Sequence, residues 1–377
     1  MKEDMYWYWL VNLGKGIGPM TQKRMLDYFD GDIEKLYYSN AYVMRGILKE
    51  AQQRTVEYSH NEEYLKNSYQ KLLQSGTRFI SWDSPEYPDQ LREISSHPFG
   101  FYLRGSMPDP DYPILAIVGS RTCTQYGWDI AERFSREMAK CHISVIGGLA
   151  AGIDTAGHTG ALREGGYSLG ILGGGIDTVY PQENFNLYLK MYEEGGVMSE
   201  YNIGTKASAQ RFPQRNRLIS GISDGVLIVE ARKKSGSLIT ADLALSQDRP
   251  VMAVPGRITD SLSTGTLDLI YDGASMVRNV QDVLDLLLDR YYVRTGNMGN
   301  LGQVESQDRM NTVPVMEEDE RIIYELLDYV KPLSFDQIEK ECRLRGIDIR
   351  SLPHNLFSLE LKGIIGQQRQ NMYVKVL

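Results

Sequence analysis

The sequence predicts a doubly wound α/β domain with a parallel sheet, a small helical unit before it and a winged-helix unit after it. Three observations carry this. Between residues 114 and about 290, short apolar runs alternate strictly with helical segments. Most of these runs are apolar at consecutive positions, as strands covered on both faces must be. Two of them end in glycine-rich turns, Gly119-Ser120-Arg121 and Gly147-Gly148-Leu149-Ala150-Ala151-Gly152-Ile153-Asp154, on the sheet edge where such folds bind ligands.

Residues 1–75 read as helical and aromatic. Leu13-Gly14-Lys15-Gly16-Ile17-Gly18-Pro19, followed by Met25, Leu26 and Phe29, has the pattern of a helix-hairpin-helix or SAM-like unit, whose turn can offer N–H groups to a phosphate. A small bundle packing on its neighbour accounts for it equally well, and Tyr37-Tyr38 reads as core filling. Residues 76–113 read as a connector, with turn signals at Asp83-Ser84-Pro85, His97-Pro98 and Pro108-Asp109-Pro110. Strands are expected at 114–119, 143–147, 167–172, 196–199, 225–230, 250–254 and 275–278.

Residues 291–316, where Gly296, Gly299 and Gly302 sit among Asn, Gln and Ser, read as a linker. In 317–377, Ile322, Ile323, Leu326 and Leu327 make one helical face, and Ser334-Phe335-Asp336-Gln337 is a capping box opening a second helix. A third helix around Leu356–Lys362 ends at Gly363, before a hairpin over Ile364–Val376. That is a winged helix, but its third helix offers only Arg350, His354 and Lys362. Reading a duplex needs a denser basic face, so protein contact is favoured for the tail.

The 377 residues carry a formal net charge of −8, which argues against a polycation; a local field still decides binding. Acidic residues crowd 57–63, 193–200, 282–289 and 317–320. Basic ones gather at Lys206, Arg211, Arg215 and Arg217, with Arg232, Lys233 and Lys234 soon after. Cys123, Cys141 and Cys342 form no CxxC, and the five histidines form no HExxH pair. No metal or cofactor is expected. Isolated cysteines fit a reducing cytoplasm, and neither a signal peptide nor a membrane span is legible.

The glycine turns and Arg121 together form a phosphate-binding surface: glycine admits close approach, helix N-termini favour anions, and arginine grips phosphate bidentately. A P-loop sequence is absent, and the turn after the first strand is not Gly-x-Gly-x-x-Gly. Both a P-loop nucleotidase and an ordinary dinucleotide enzyme are therefore disfavoured.

Several blocks in order now make the chain recognisable: Ala116-Ile117-Val118-Gly119-Ser120-Arg121, Gly148-Leu149-Ala150-Ala151-Gly152-Ile153-Asp154, Gly175-Ile176-Asp177 with Tyr180-Pro181, Phe212-Pro213-Gln214-Arg215-Asn216-Arg217-Leu218-Ile219-Ser220-Gly221, Glu230 with Ser235-Gly236-Ser237-Leu238-Ile239-Thr240-Ala241, and Val254-Pro255-Gly256. The chain resembles the DNA-processing protein A family (DprA, also called Smf). The resemblance implies an extended Rossmann fold and a non-enzymatic cytoplasmic protein that binds single-stranded DNA. It further implies loading of the RecA recombinase, in natural transformation or related recombination, and homodimerisation through the Rossmann-like domain.

On that reading Gly119, Ser120 and Arg121 hold a phosphate, with N–H donors from the turn containing Gly148 and Gly152. Arg211, Arg215 and Arg217 lie beside Phe212, a basic-aromatic interleaving suited to a base stacked beside a held phosphate, and Lys206 is the basic position chosen from the preceding segment 204–210. Asn216 orients the loop or donates to phosphate. Ser235, Gly236 and Ser237 open a helix that adds an anion site. The alternative for Arg215 and Arg217 is structural, in ion pairs with Glu230 or Asp224.

One departure stands out. Relatives commonly read Gly-(Cys/Thr)-Asn-Arg-Leu-Ile where this chain has Gly265-Thr266-Leu267-Asp268-Leu269-Ile270, an acid replacing an arginine. Two other classes compete with the DNA reading. One is a nucleotide N-glycoside hydrolase of the lysine-decarboxylase-like group, with Glu230 as its acid, although that group's Pro-Gly-Gly-x-Gly-Thr turn is missing. The other is a small-nucleotide sensor using the same turns.

Overall fold

The computed structural model describes residues 2–14, 16–295, 316–327, 332–345, 348–362, 364–369 and 372–375. They fall into two compact units, Met1–Gly302 and Gln303–Leu377.

The first unit opens with helices α1 (Lys2–Val11), α2 (Pro19–Tyr28), α3 (Ile33–Tyr38), α4 (Glu50–Tyr58) and α5 (Glu62–Gln74). Asp32 and Asn61 cap α3 and α5 by accepting from the N–H groups of Lys35 and Tyr64. On α1, Tyr6, Trp7, Tyr8, Trp9 and Leu10 are all buried, because the helix is covered on more than one side. Tyr8 packs edge-on against Tyr69, Phe79 and Tyr102, and Trp7 stacks on Phe99. The N-terminal helices thus share one core with the sheet.

The segment expected to be only a connector contributes two strands. β1 (Arg78–Ser81) and β2 (Gly100–Gly105), with α6 (Asp89–Glu93) between them, pair antiparallel and extend the sheet through β2. Their apolar runs are short and bounded by turn residues, and their stabilising partners lie far away in sequence.

All seven expected strands form, within a few residues of the expected ends. The chain runs β3 (Ile114–Val118), α7 (Gln125–Lys140), β4 (Ser144–Gly147), α8 (Ile153–Arg163), β5 (Ser168–Gly175), α9 (Phe185–Glu194), β6 (Gly196–Tyr201), α10 (Arg211–Ile222) and β7 (Gly225–Ile228). It continues through α11 (Gly236–Ser246), β8 (Val251–Ala253), α12 (Thr264–Tyr271), β9 (Ser275–Met276) and α13 (Val280–Thr295). The sheet order is β1-β2-β6-β5-β4-β3-β7-β8-β9, with β3 to β9 parallel. The chain winds outward from β3 to β6, then crosses back to β7. The order therefore reverses between β3 and β7, which is where a crevice opens at the strands' C-terminal ends.

The expected linker 291–316 begins inside α13, which continues to Thr295 because Tyr291 is buried and Arg294 pairs with buried Asp224 at 2.8 Å. Residues 296–315 of it lie outside the described residues.

The second unit is a winged helix: α14 (Glu318–Leu326), β10 (Leu333–Ser334), α15 (Phe335–Leu344), α16 (Leu352–Leu361), β11 (Ile365–Arg369) and β12 (Met372–Lys375). Its three strands run β10-β12-β11, antiparallel. The capping box is reciprocal between Ser334 and Gln337. α16 starts at Leu352, earlier than expected, with Pro353 in its first turn. Lys362 pairs at 2.6 Å with buried Glu320, and Arg350 pairs with Asp348. Among the described residues, no helix is long and apolar enough to cross a membrane.

Candidate nucleic-acid interface

Three strand-to-helix turns, after β3, β4 and β7, meet at the reversal point around a cleft of about 400 Å³. Gly119, Ser120, Arg121, Phe212, Arg215, Asn216, Ser235, Gly236 and Ser237 all line it. The β3 and β4 turns are joined by the Ile153 N–H, which donates to the Ser120 carbonyl at 3.1 Å. Gly152, at φ +77°, makes that approach possible: a Cβ there would stand 2.3 Å from the Ser120 carbonyl oxygen. Gly152 therefore joins the turns and does not line the cleft. At Gly148 a Cβ would collide with the Arg215 guanidinium, and its N–H is already donated to the Asp154 carboxylate at 2.7 Å. Gly148 instead borders a small side recess with Arg121, Tyr180 and Phe212.

The arginines divide by burial. Arg215 is 4% exposed and donates to the carbonyls of Gly148 and Ile171, tying the β4 turn to β5. Burial pushes its pKa down to about 10, so it stays charged at neutral pH. Burial also raises the pKa of Asp154, with Arg215 opposing the rise. Arg217 donates to Glu200 at 2.6 Å and to the Ser96 carbonyl at 2.9 Å. The partners are thus neither Glu230 nor Asp224. Both arginines are nonetheless bonded to the scaffold.

Arg121 is different. It is exposed, has no ion pair among the described residues, and lies 4.6 Å from the centre of the Phe212 ring. Phe212 also stacks with Tyr180 at 5.5 Å. The result is an aromatic shelf carrying an uncompensated guanidinium. Tyr180 was not among the expected site residues, although the Tyr180-Pro181 pair was a usable signal. Arg232, Lys233 and Lys234 were also missed as site residues: three exposed cations in the turn after β7, all lining the cleft. Their signal was a cationic run directly after an apolar strand. Lys233 has a partner, Asp268, at 3.4 Å, the residue that departs from the family pattern.

Three expected residues, Lys206, Arg211 and Arg217, lie elsewhere. Arg211 donates to the Lys206 carbonyl at 2.7 Å and sits 5.5 Å from the Tyr201 ring centre. Arg211 and Arg217 line a second hollow, of about 620 Å³; Lys206 is exposed and lines neither.

Ser235 caps α11 by accepting from the Ser237 N–H, and its hydroxyl also meets that of Ser237 at 2.8 Å. The cap leaves a helix N-terminus facing the cleft, an electropositive end suited to an anion. Glu230 is buried and accepts from the Thr124 N–H at 2.9 Å and from its hydroxyl at 2.5 Å. Its carboxylate anchors the start of α7, which leaves it poorly placed to serve as a catalytic acid.

The cleft offers cations from the turns after β3 and β7, a helix N-terminus at α11, and an aromatic shelf, a combination suited to phosphates beside a stacked base. Comparisons with known proteins bear on the family and the fold. The family model for DNA recombination-mediator protein A covers residues 78–288, from β1 into α13. Protein Smf of Synechocystis is 34% identical over 289 residues, 74% of this chain and 71% of its own length. The solved structure of DNA processing protein A from Streptococcus pneumoniae superposes with a TM-score of 0.67 at 31% identity, over 75% of this chain and 97% of that one. That of DNA processing protein A from Helicobacter pylori, described for its unique single-stranded DNA binding mode, gives 0.52 at 28% identity, over 57% of this chain and 97% of that one. With the sheet and every turn of its cleft inside the matched region, this chain belongs to the DNA recombination-mediator protein A family.

Proposed function

We propose that this protein is a non-enzymatic recombination mediator that holds single-stranded DNA in the cleft at the β3/β7 reversal. The observation that carries this is Arg121: an exposed, unpaired guanidinium on an aromatic shelf, opposite three further cations and a helix N-terminus. Backbone capture beside a stacking platform is what binding an unpaired strand without sequence preference requires. The Streptococcus and Helicobacter likenesses support it. Hydrolysis loses its candidate acid, since both Glu230 oxygens are engaged at the α7 cap.

The protein then hands its strand to a RecA-type recombinase, in the cytoplasm, as a homodimer joined through the Rossmann-like domain. The short β9 edge, with Met276 and neighbouring Tyr271 exposed, supports that mode of pairing. Two linked clefts on one strand gain avidity from effective concentration.

Gel shifts with single- and double-stranded oligonucleotides of graded length test the reading. Affinity should favour the single strand and rise with length. It should fall with log salt at a slope near −0.7 per phosphate neutralised. Release of free base from a nucleotide panel, without length-dependent binding, would replace this reading with the hydrolase. Sedimentation should show a dimer at micromolar protein, and recombinase filaments should assemble faster when the protein is added.

A further inference from the structure

The second hollow opens between the α1–α2 turn and the loops at the ends of β6 and around β2. Its walls are apolar: Val11, Ile17, Met20 and Phe99. Gly14 and Gly18 also line it, and a Cβ built on either meets nothing within 4 Å. Among the described residues no side chain fills this space, and about 620 Å³ is a usual size for a small-ligand site.

The floor is polar but carries no net charge. Arg217 spends its nitrogens on the Ser96 carbonyl, the Gln214 carbonyl and the Glu200 carboxylate. Asn202 and the exposed Gln214 side chain complete it. A compensated ion pair with two amides suits the edge of an uncharged base better than a phosphate. Arg211 supplies a cation with no ion pair among the described residues, stacked on Tyr201.

The first turns of α10 serve both spaces. Phe212, Arg215 and Asn216 border the cleft, while Arg211, Gln214 and Arg217 border the hollow. We propose that the hollow is a second nucleotide subsite, taking a base of the same strand after it leaves the cleft, with Arg211 on the adjoining phosphate. This rests on the single-strand reading above.

Fluorescence anisotropy with oligothymidylates from about 4 to about 16 nucleotides, the span of site sizes known for single-strand-binding OB folds, tests it. Gly18→Phe fills the hollow from a position with room for the ring, and Arg211→Ala removes its cation. Both variants should fall progressively below the wild type as the oligonucleotide lengthens, reaching about fivefold, the worth of one lost base-stacking contact. Arg121→Ala should lose a constant factor at every length. Curves for Gly18→Phe and Arg211→Ala that coincide with the wild type, or run parallel below it, would overturn the subsite while leaving the cleft intact. Failure of the wild type to bind at any length would instead overturn the single-strand reading, and the subsite with it.

Discussion

The guanidinium of Arg121 lies 4.6 Å from the centre of the Phe212 ring, and Phe212 itself stacks on Tyr180. The shelf holds the cation in place without neutralising it, since a ring attracts the charge but does not cancel it.

Arg121→Ala should therefore weaken single-strand binding by about 1.5–3 kcal/mol, the worth of a charge-assisted contact, with little change in melting temperature. Arg121→Lys should recover only part of the loss, because an ammonium lacks the planar fork. Titration with a labelled oligonucleotide decides it; unchanged affinity in a folded Arg121→Ala protein removes Arg121 from the site.

Arg215 should behave in the opposite way. Arg215→Met leaves the carbonyls of Gly148 and Ile171 without their donor and strips the buried Asp154 of its nearby cation. The expected cost is about 3–5 kcal/mol of folding stability, read by urea denaturation. Wild-type stability with selective loss of DNA binding would return Arg215 to the DNA contacts.

These two arginines mark the limit of what the chain discloses by itself. The seven parallel strands were legible because burial on both faces makes every position apolar, as in Ile114–Val118. β1 and β2 were not, because Phe79 and Tyr102 find their partner Tyr8 some 70 or more positions away. The turns around Arg121 and Ser235 were legible from glycine and serine spacing. Which guanidinium faces inward was not: Arg215 and Arg121 differ in what surrounds them, and that depends on tertiary packing. Arg232, Lys233 and Lys234 stood in plain view as a basic run, but only the sheet order brings them opposite Arg121.

Acid should destabilise the protein through His158. Burial pushes its pKa down to about 3, helped by nearby Arg215, while Nδ1 meets the Ser168 hydroxyl at 2.7 Å. The unfolded chain takes up this proton below about pH 6.5 whereas the native state does not until about 3. Stability is thus lost as pH falls through that window, by about 2 kcal/mol at pH 5. Asp154 acts in the opposite sense, because its raised pKa lets the native state keep a proton the unfolded state has released. His158→Gln should flatten the fall in urea midpoint between pH 7 and pH 5; an unchanged slope contradicts the assignment.

The winged-helix unit should prove an accessory to strand binding. Lys362 is bonded to Glu320 and Arg350 to Asp348, leaving its third helix poor in free cations. Deleting residues 303–377 should leave the first unit folded, since its sheet is complete by β9. Single-strand affinity should drop by less than about tenfold. A near-complete loss, with circular dichroism showing the first unit intact, places the main site in the winged helix.

Asp268 is the residue whose removal should improve binding. It stands 3.4 Å from Lys233 on an exposed surface, so one of the cleft's cations is partly engaged before any strand arrives. An exposed pair of this kind is weak, and a phosphate can displace the carboxylate, but the displacement has a cost. Asp268→Asn should raise single-strand affinity by about twofold at low salt. It should also steepen the log affinity against log salt slope, by up to about 0.7 if Lys233 then neutralises one further phosphate. Asp268→Arg, reversing the charge, should go further in the same direction. Salt titrations of the three proteins on one oligonucleotide settle the point. Identical affinities and slopes would mean that Lys233 never meets the strand, and that the cleft's basic rim consists of Arg121, Arg232 and Lys234 alone.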